Sequence, residues 1–549
     1  MKALVKAVVN SLFISSSLFA LVPGVTSVQN PASNIVPGLP NYGIAQGSIF
    51  IIYGSGMGPS TISIASTLPY QNVLSGTSVA VTSGGLTQAA NIVYTLSSQV
   101  AAIMPSSIPT GNATIKVTYN GFVSQGFSTT IVQNNFGIST LNQTGFGPAV
   151  ITYPTSSAPF YGVVSTTNSA VPGNTYTMWG TGLGPAIGGN SDNNVNAFAS
   201  VGPQPTILIG GIAANIVYYG RSPGAGPGLD QINFTIPSGV TGCNVSMVVQ
   251  TTGTPATLSN STTIPIAANG GACSDTYGIQ ASTWSPLLAM ANGINVSFLE
   301  MIQTSTTTYT KGTANPTTVA TQINADFVHY TQAQLSSQYQ NIFVPGASSG
   351  SCVTTIALVG NPTTPTTNYT GLDAGLTVNL NSFTGQVFPL QKSATGIYGL
   401  AGSTTFPTGT YTLSVGAGGT GVTSVTGEAL TLPSFATWTN QAALGGSTIT
   451  RANGLTITWA GGGTGTGRYI DIQGSAGFGG NGTNTITFDC VVPPGPGTFT
   501  IPSQVLLAMP VGAGSIQVND NVPLLVTAPS FNLAVTTAIS GSNVSVNWN

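Results

Sequence analysis

The feature that most restricts how this chain can fold is an internal repeat in its first half. The fifteen residues Ala45–Pro59 (AQGSIFIIYGSGMGP) match Val171–Pro185 (VPGNTYTMWGTGLGP), 126 positions later. Ala89–Tyr94 (AANIVY) recurs identically as Ala213–Tyr218, and Gln99–Pro105 aligns with Gln231–Pro237. The spacing between blocks differs slightly from copy to copy, so the insertions fall in loops. Each copy ends on an alternating stretch: Ala113, Ile115, Val117 and Tyr119 in the first, Cys243, Val245, Met247 and Val249 in the second. Alternation of β-branched and aromatic residues describes half-buried strands. The glycine-rich string that follows the first strand supplies turn geometry and stops the strand. Two antiparallel sandwiches of about 100 residues each are therefore expected.

Composition narrows the function. Of 549 residues, 71 are Gly and 35 Pro, and only 18 are charged: 8 Lys or Arg and 10 Asp or Glu. At 3% charged residues, against about 25% in an ordinary domain, the surface must be built of Thr, Ser, Asn, Gln and Gly. Six basic residues scattered beyond the first ten positions cannot form a phosphate-binding patch, which excludes nucleic acid as a partner. A hydrophobic content of 41% with so little charge is the reverse of the disordered signature.

Residues 1–27 read as a secretory signal peptide, with Lys2 and Lys6 ahead of an apolar run from Ala7 to Val22 and small residues up to Ser27. No later segment is long and apolar enough to span a membrane, so the exported chain is expected to be extracellular or held at the cell surface. All four cysteines, Cys243, Cys273, Cys352 and Cys490, follow the signal, and an even number in an exported chain suggests disulfides. Three pairings are open. Cys243 with Cys273 would close a short loop within one repeat, and Cys352 with Cys490 would then staple the C-terminal region. The absence of any C-x-x-C spacing argues against a zinc site.

The string Gly180-Thr181-Gly182-Leu183-Gly184-Pro185, followed by Ile209-Gly210-Gly211-Ile212-Ala213-Ala214 and then by Leu229-Asp230-Gln231-Ile232-Asn233 through Ile236-Pro237, resembles the tandem immunoglobulin-like repeats, of IPT/TIG type, found in exported proteins of acidobacteria. The likeness spans roughly residues 31–275. It implies an array of surface or secreted β-sandwiches and carries over no catalytic residue. On this reading the chain divides into the signal (1–27), a first sandwich (28–133), a second (134–275), a Thr-rich connector with a short helix (276–325), and a C-terminal region of one or two further sandwiches (326–549). The fold class is all-β, with tandem antiparallel sandwiches in an elongated array. Helical stretches are expected only within Ser285–Met301 and Gln332–Gln340.

Catalytic patterns test poorly. Gly346-Ala347-Ser348-Ser349-Gly350 fits the nucleophile-elbow string, but a strand-like stretch follows it and the single histidine, His329, lies upstream. Gly416–Gly421 fits a dinucleotide fingerprint without the surrounding βαβ unit and is expected to be a hairpin turn. Ser191–Asn194 and Asn519–Asn521 read as polar turns rather than ion sites. Asp471 and Asp489 are the carboxylates placed to face each other as in a glycosidase; the plainer expectation pairs them with Arg451 or Arg468 or turns them to solvent. No catalytic residue, cofactor or metal is expected.

Three functional expectations remain, the last of them a secreted hydrolase using Asp471, Asp489 or Ser348. The first is a non-enzymatic structural, adhesive or self-assembling component, whose partner is another copy of itself through strand edges or a surface polymer, because edges are normally guarded by charge and charge is scarce. The second is an extracellular carbohydrate-binding protein using Trp438, Trp459, Tyr469 and Trp548 as a stacking strip. With few carboxylates to titrate, stability is expected to vary little with pH.

Overall fold

The computed structural model describes residues 22–549 apart from 159, 253–256, 311–312, 316, 337–345, 359–367, 404, 417–418, 423, 426–427, 466, 480–483 and 529. The protein is largely all-β, with strongly curved sheets forming sandwich-like units in tandem along an elongated chain. Most of the expected signal, residues 1–21, lies outside the described residues.

The repeat folds as one topology used twice. In the first unit the strands Ile49–Ser55, Gln99–Ile103, Leu86–Leu96, Thr77–Ser83, Gly111–Tyr119 and Phe127–Val132 follow one another across the sheet. Their counterparts Thr175–Thr181, Asp230–Thr235, Ile212–Arg221, Thr206–Ile209, Gly242–Gln250 and Thr262–Ile266 stand in the same order in the second. The identical AANIVY block marks the place where one strand passes between the two layers of each sandwich. Leu86–Ala90 pairs with Val79–Ser83, whereas Asn91–Leu96 pairs with Gln99–Ile103, and the register slips between Ile92 and Tyr94. In the second copy Ile212–Ala214 and Asn215–Arg221 divide likewise, with the slip between Ile216 and Tyr218. A bulge at Val93 and Val217 thus bends the strand where it changes sheets.

The repeated glycines have a steric cause. A Cβ on Gly54 would run into the carbonyl of Gly24, and one on Gly180 into the carbonyl of Gly137. Each carbonyl belongs to the first strand of its unit, Gly24–Gln29 or Gly137–Ile138, laid across the repeated strand. Gly24–Gln29 also corrects the boundary expected at residue 28: cleavage after Ser27 would remove four of its six residues.

The remainder of the chain forms one fourteen-stranded sheet with smaller flanking sheets. Here the sequence-based division needs correction. Residues 276–325, expected to be a connector, supply the helix Ala281–Leu288, the strand Ile294–Thr306 and the start of Thr318–Tyr330. Ile294–Thr306 is central, bonded to Thr318–Tyr330 on one side and parallel to Leu533–Trp548 on the other. The helix expected within Ser285–Met301 stops at Leu288; of Gln332–Gln340, residues 332–336 are helical and the rest lie outside the described residues.

Two apolar cores line one face of this sheet. One gathers Ile457, Ile472, Phe488, Ile516 and Trp548, the other Met301, Phe327, Leu380, Tyr398 and Tyr411. The opposite face is apolar at one end, where Trp284 of the helix covers Val296, Val328 and Leu533, and polar at the other. The first core also receives a strap from the N-terminal unit: Ile35, Val36 and Leu39, between strands Gly24–Gln29 and Ile44–Ala45, are buried in it.

Candidate functional site

Cys243 is bonded to Cys273 and Cys352 to Cys490. Cys352 and Cys490 stand directly opposite one another on the adjacent strands Ser351–Ala357 and Asn484–Val492, so this bridge ties neighbouring strands near a sheet end.

Ser348 is fully buried. Its hydroxyl accepts the backbone N–H of Asn244 at 2.8 Å and bonds the Asp275 carboxyl, and the strand Ser351–Ala357 follows immediately. His329 lies on a different strand, its Nδ1 2.8 Å from the side chain of Asn295. These contacts hold the second unit against the large sheet, since Asp275 Oδ2 also accepts the N–H of Cys243 at 3.0 Å. The polar turn Ser191–Asn194 joins the first two units in the same way, because Asp192 accepts Ser106 N at 2.7 Å and Asn91 Nδ2 donates to Asp192 O at 3.0 Å. Asn519–Asn521 lies within the strand Gly512–Val526, not in a turn. Of the glycine string Gly416–Gly421, residues 417 and 418 lie outside the described residues.

The stacking strip is corrected. Trp438, Trp459 and Trp548 are core residues, and each indole N–H is satisfied internally: by Asn440 Oδ1 at 2.7 Å, Pro494 O at 2.7 Å and Ser475 O at 3.1 Å. Tyr469 is half-buried with its ring 5.8 Å from that of Tyr277. The physical reason is area: an indole buries a large apolar surface, and its N–H finds a partner inside the fold.

The carboxylates are where sequence reasoning weighed wrongly. Asp471 and Asp489 are diagonal neighbours on adjacent strands, whereas Arg468 is paired with Asp520 and Arg451 donates to the carbonyl of Met509. Burial and the neighbouring Asp471 charge push the Asp489 carboxyl well above the usual carboxylate range. Asp471 in turn accepts Gln473 Nε2 at 2.7 Å and Asn519 Nδ2 at 3.1 Å. Register places these on the polar face of the large sheet together with Glu300, Asn324 and Asp326. Burial, with Glu300 close by, raises Asp326 to about 6. Among the described residues no group of three His, Cys, Asp or Glu side chains is placed to hold a metal ion, and no helix is long and apolar enough to cross a membrane.

Folding removes about half of the described charged side chains from the surface. Asp230 and Asp520 are buried in ion pairs with Arg221 and Arg468, and Asp275, Glu428 and Asp471 are buried as well. Among the described residues only Lys116 and Lys392 are charged and exposed, and Lys392 is paired with Asp373. Between Lys116 and Asp192 the sequence has no charged residue at all. That stretch holds the end strand of the second sheet, Tyr161–Val163, bonded on one side only to Ile151–Pro154. Phe160, Tyr161 and Val163 are 68%, 56% and 39% exposed.

No family model matches the chain, and no curated protein matches it. Solved structures do. SGBP-B of the Bacteroides ovatus mixed-linkage glucan utilization locus, in complex with a mixed-linkage heptasaccharide, is 13% identical over 58% of this chain and 74% of its own, with a TM-score of 0.20. A Bacteroides thetaiotaomicron protein of unknown function is 11% identical over 57% and 58%, at 0.15. Domains 4–9 of the surface layer protein SbsC are 11% identical over 94% and 66%, at 0.12. The likeness is distant and partial.

Proposed function

We propose that this chain is an exported, non-enzymatic structural component of the cell surface or extracellular matrix, made of IPT/TIG-like sandwiches, which associates with copies of itself through strand edges. The observation that carries the reading is the near absence of exposed charge. Natural sheets guard their edges with charged side chains, and a net surface charge keeps ordinary proteins apart in solution. Here the charges are folded inward, and the end strand Tyr161–Val163 offers unguarded backbone beside exposed aromatic rings. Hydrophobic contact and backbone pairing would then favour association with little opposing repulsion.

Electron microscopy and light scattering of the secreted chain test this. Ordered filaments or sheets are expected, insensitive to salt because no ion pair holds them. Replacing Tyr161 and Val163 by Lys is expected to disperse them. Monodisperse monomers of the unaltered chain at high concentration would overturn the reading.

A further inference from the structure

We infer that the groove on the polar face of the large sheet, centred on Gly399 between Asn324 and Gln391, is a binding site for a neutral glycan. The groove measures about 480 Å³, within the range of roughly 300–1,000 Å³ that ligand sites occupy. The enclosed space between the N-terminal strap and the sheet, about 30 Å³, has room for little more than a water.

The lining follows from strand register. Gly399 stands opposite Asn324 on one side and Gln391 on the other, with Ala401 opposite Gln322 and Ile397 opposite Asp326. Three neighbouring strands, about 4.8 Å apart, therefore present amide, glycine, amide. The glycine makes a trough: a Cβ there would meet nothing nearer than the Ile323 carbonyl at 3.5 Å. A primary amide offers a donor and an acceptor side by side, the pattern that a pair of adjacent hydroxyls on a sugar ring completes. Ile397 and Ala401, on the same face as Gly399, add apolar surface to the lining for the C–H face of such a ring.

Orientation and charge select the ligand class. Asn324 Nδ2 donates to Glu300 Oε2 at 3.0 Å, and its Oδ1 accepts Gln322 Nε2 at 2.9 Å. With Glu300 Oε2 as the acceptor of the Asn324 amide N–H, Glu300 fixes which way that amide points and, through it, Gln322. The amides are set before a ligand arrives, which lowers the ordering cost of binding. Lys392, at the groove, is neutralised by Asp373 at 2.5 Å, and Glu300 and Asp326 lie on the same face. Anionic polymers are repelled there, whereas uncharged polyhydroxyl chains are not. None of this depends on self-association.

Affinity electrophoresis of the full chain through gels containing a soluble β-glucan, a galactomannan, an α-glucan or polygalacturonate tests the site. At least one neutral polymer is expected to retard the protein, unaffected by 0.5 M NaCl. Gln391→Ala and the groove-filling Gly399→Phe are each expected to weaken retardation about tenfold or more, and Gln88→Ala in the first unit to leave it unchanged. Thermal unfolding checks both variants; should Gly399→Phe unfold, the exposed Gln391→Ala decides alone. Absence of retardation by every neutral polymer, preference for polygalacturonate, or unchanged retardation of Gln391→Ala would each overturn the proposal.

Discussion

Arg221 and Asp230 show how a single pair can join two units. The guanidinium is buried against the Asp230 carboxylate and donates to the carbonyls of Gly47, in the first unit, at 3.0 Å and Gly184 at 2.8 Å. Asp230 Oδ2 accepts the N–H groups of Gly182 and Leu183, both at 2.8 Å. Removing one member leaves the other charged and unpartnered away from water, the costly way to break a buried pair. Asp230→Ala is therefore expected to destabilise the first two units by about 3–5 kcal/mol, read as a lowered midpoint in urea. Asp230 sits in a sequence block that announces itself by repetition, yet its ion pair does not: the matching position of the first copy is Ser98. Single residues were least legible where context decides burial. Trp459 shares the face of Leu455 and Ile457, so alternation already turns it inward, whereas Asp471 and Asp489 meet only because their strands are adjacent.

Elements were legible where a strand has one wet face and obscure where it has two dry ones. The repeated strands alternate cleanly and were readable. Ile294–Thr306 was not, because Leu299 and Met301 face one core while Ile294, Val296 and Phe298 face another; a strand covered on both faces loses its period of two. The strap was equally hidden, since nothing local in Ile35-Val36-Pro37-Gly38-Leu39 signals a partner more than 400 residues away. Its packing gives a distinctive prediction: Leu39→Ala in the N-terminal unit is expected to cost about 2–4 kcal/mol in the C-terminal one, seen as faster hydrogen exchange in the strands Leu455–Gly461 and Tyr469–Phe478. The neighbouring strand Gly24–Gln29 makes a second. Val28 is fully buried and five of the strand's residues pair with Ser55–Ile51, so N-terminal sequencing of the secreted chain is expected to place cleavage before Gly24, not after Ser27.

At the scale of the molecule, folding a nearly uncharged chain turns its few carboxyls inward, and this changes the expected response to pH. Burial raises Asp275 to about 6, beside the Ser348 hydroxyl and the N–H of Cys243. Asp326 rises to about 6 from burial and the nearby Glu300. Glu428, buried beside the Ser297 hydroxyl, rises to about 7, and Asp489 rises from burial and the adjacent Asp471. A carboxyl with a folded-state pKa above its unfolded value holds its proton more tightly when folded. Its contribution is complete below about pH 4, the unfolded value, and is lost as pH rises through 6 and 7. The opposite case, Asp373 lowered by Lys392, acts only below the ordinary carboxylate range. At about 1.4 kcal/mol per pKa unit, and discounting Asp326 and Asp489 for partial exposure, acidification from pH 8 to pH 5 is expected to stabilise the protein by a few kcal/mol. The near-indifference to pH expected from composition thus gives way to a fold that tightens in acid, because the count of carboxyls says nothing of where they end up. Urea midpoints measured from pH 8 to pH 5 check this: they should rise, and Glu428→Gln, neutral at every pH, should flatten part of the slope. A midpoint that falls on acidification would mean that these carboxyls are solvated in the folded protein.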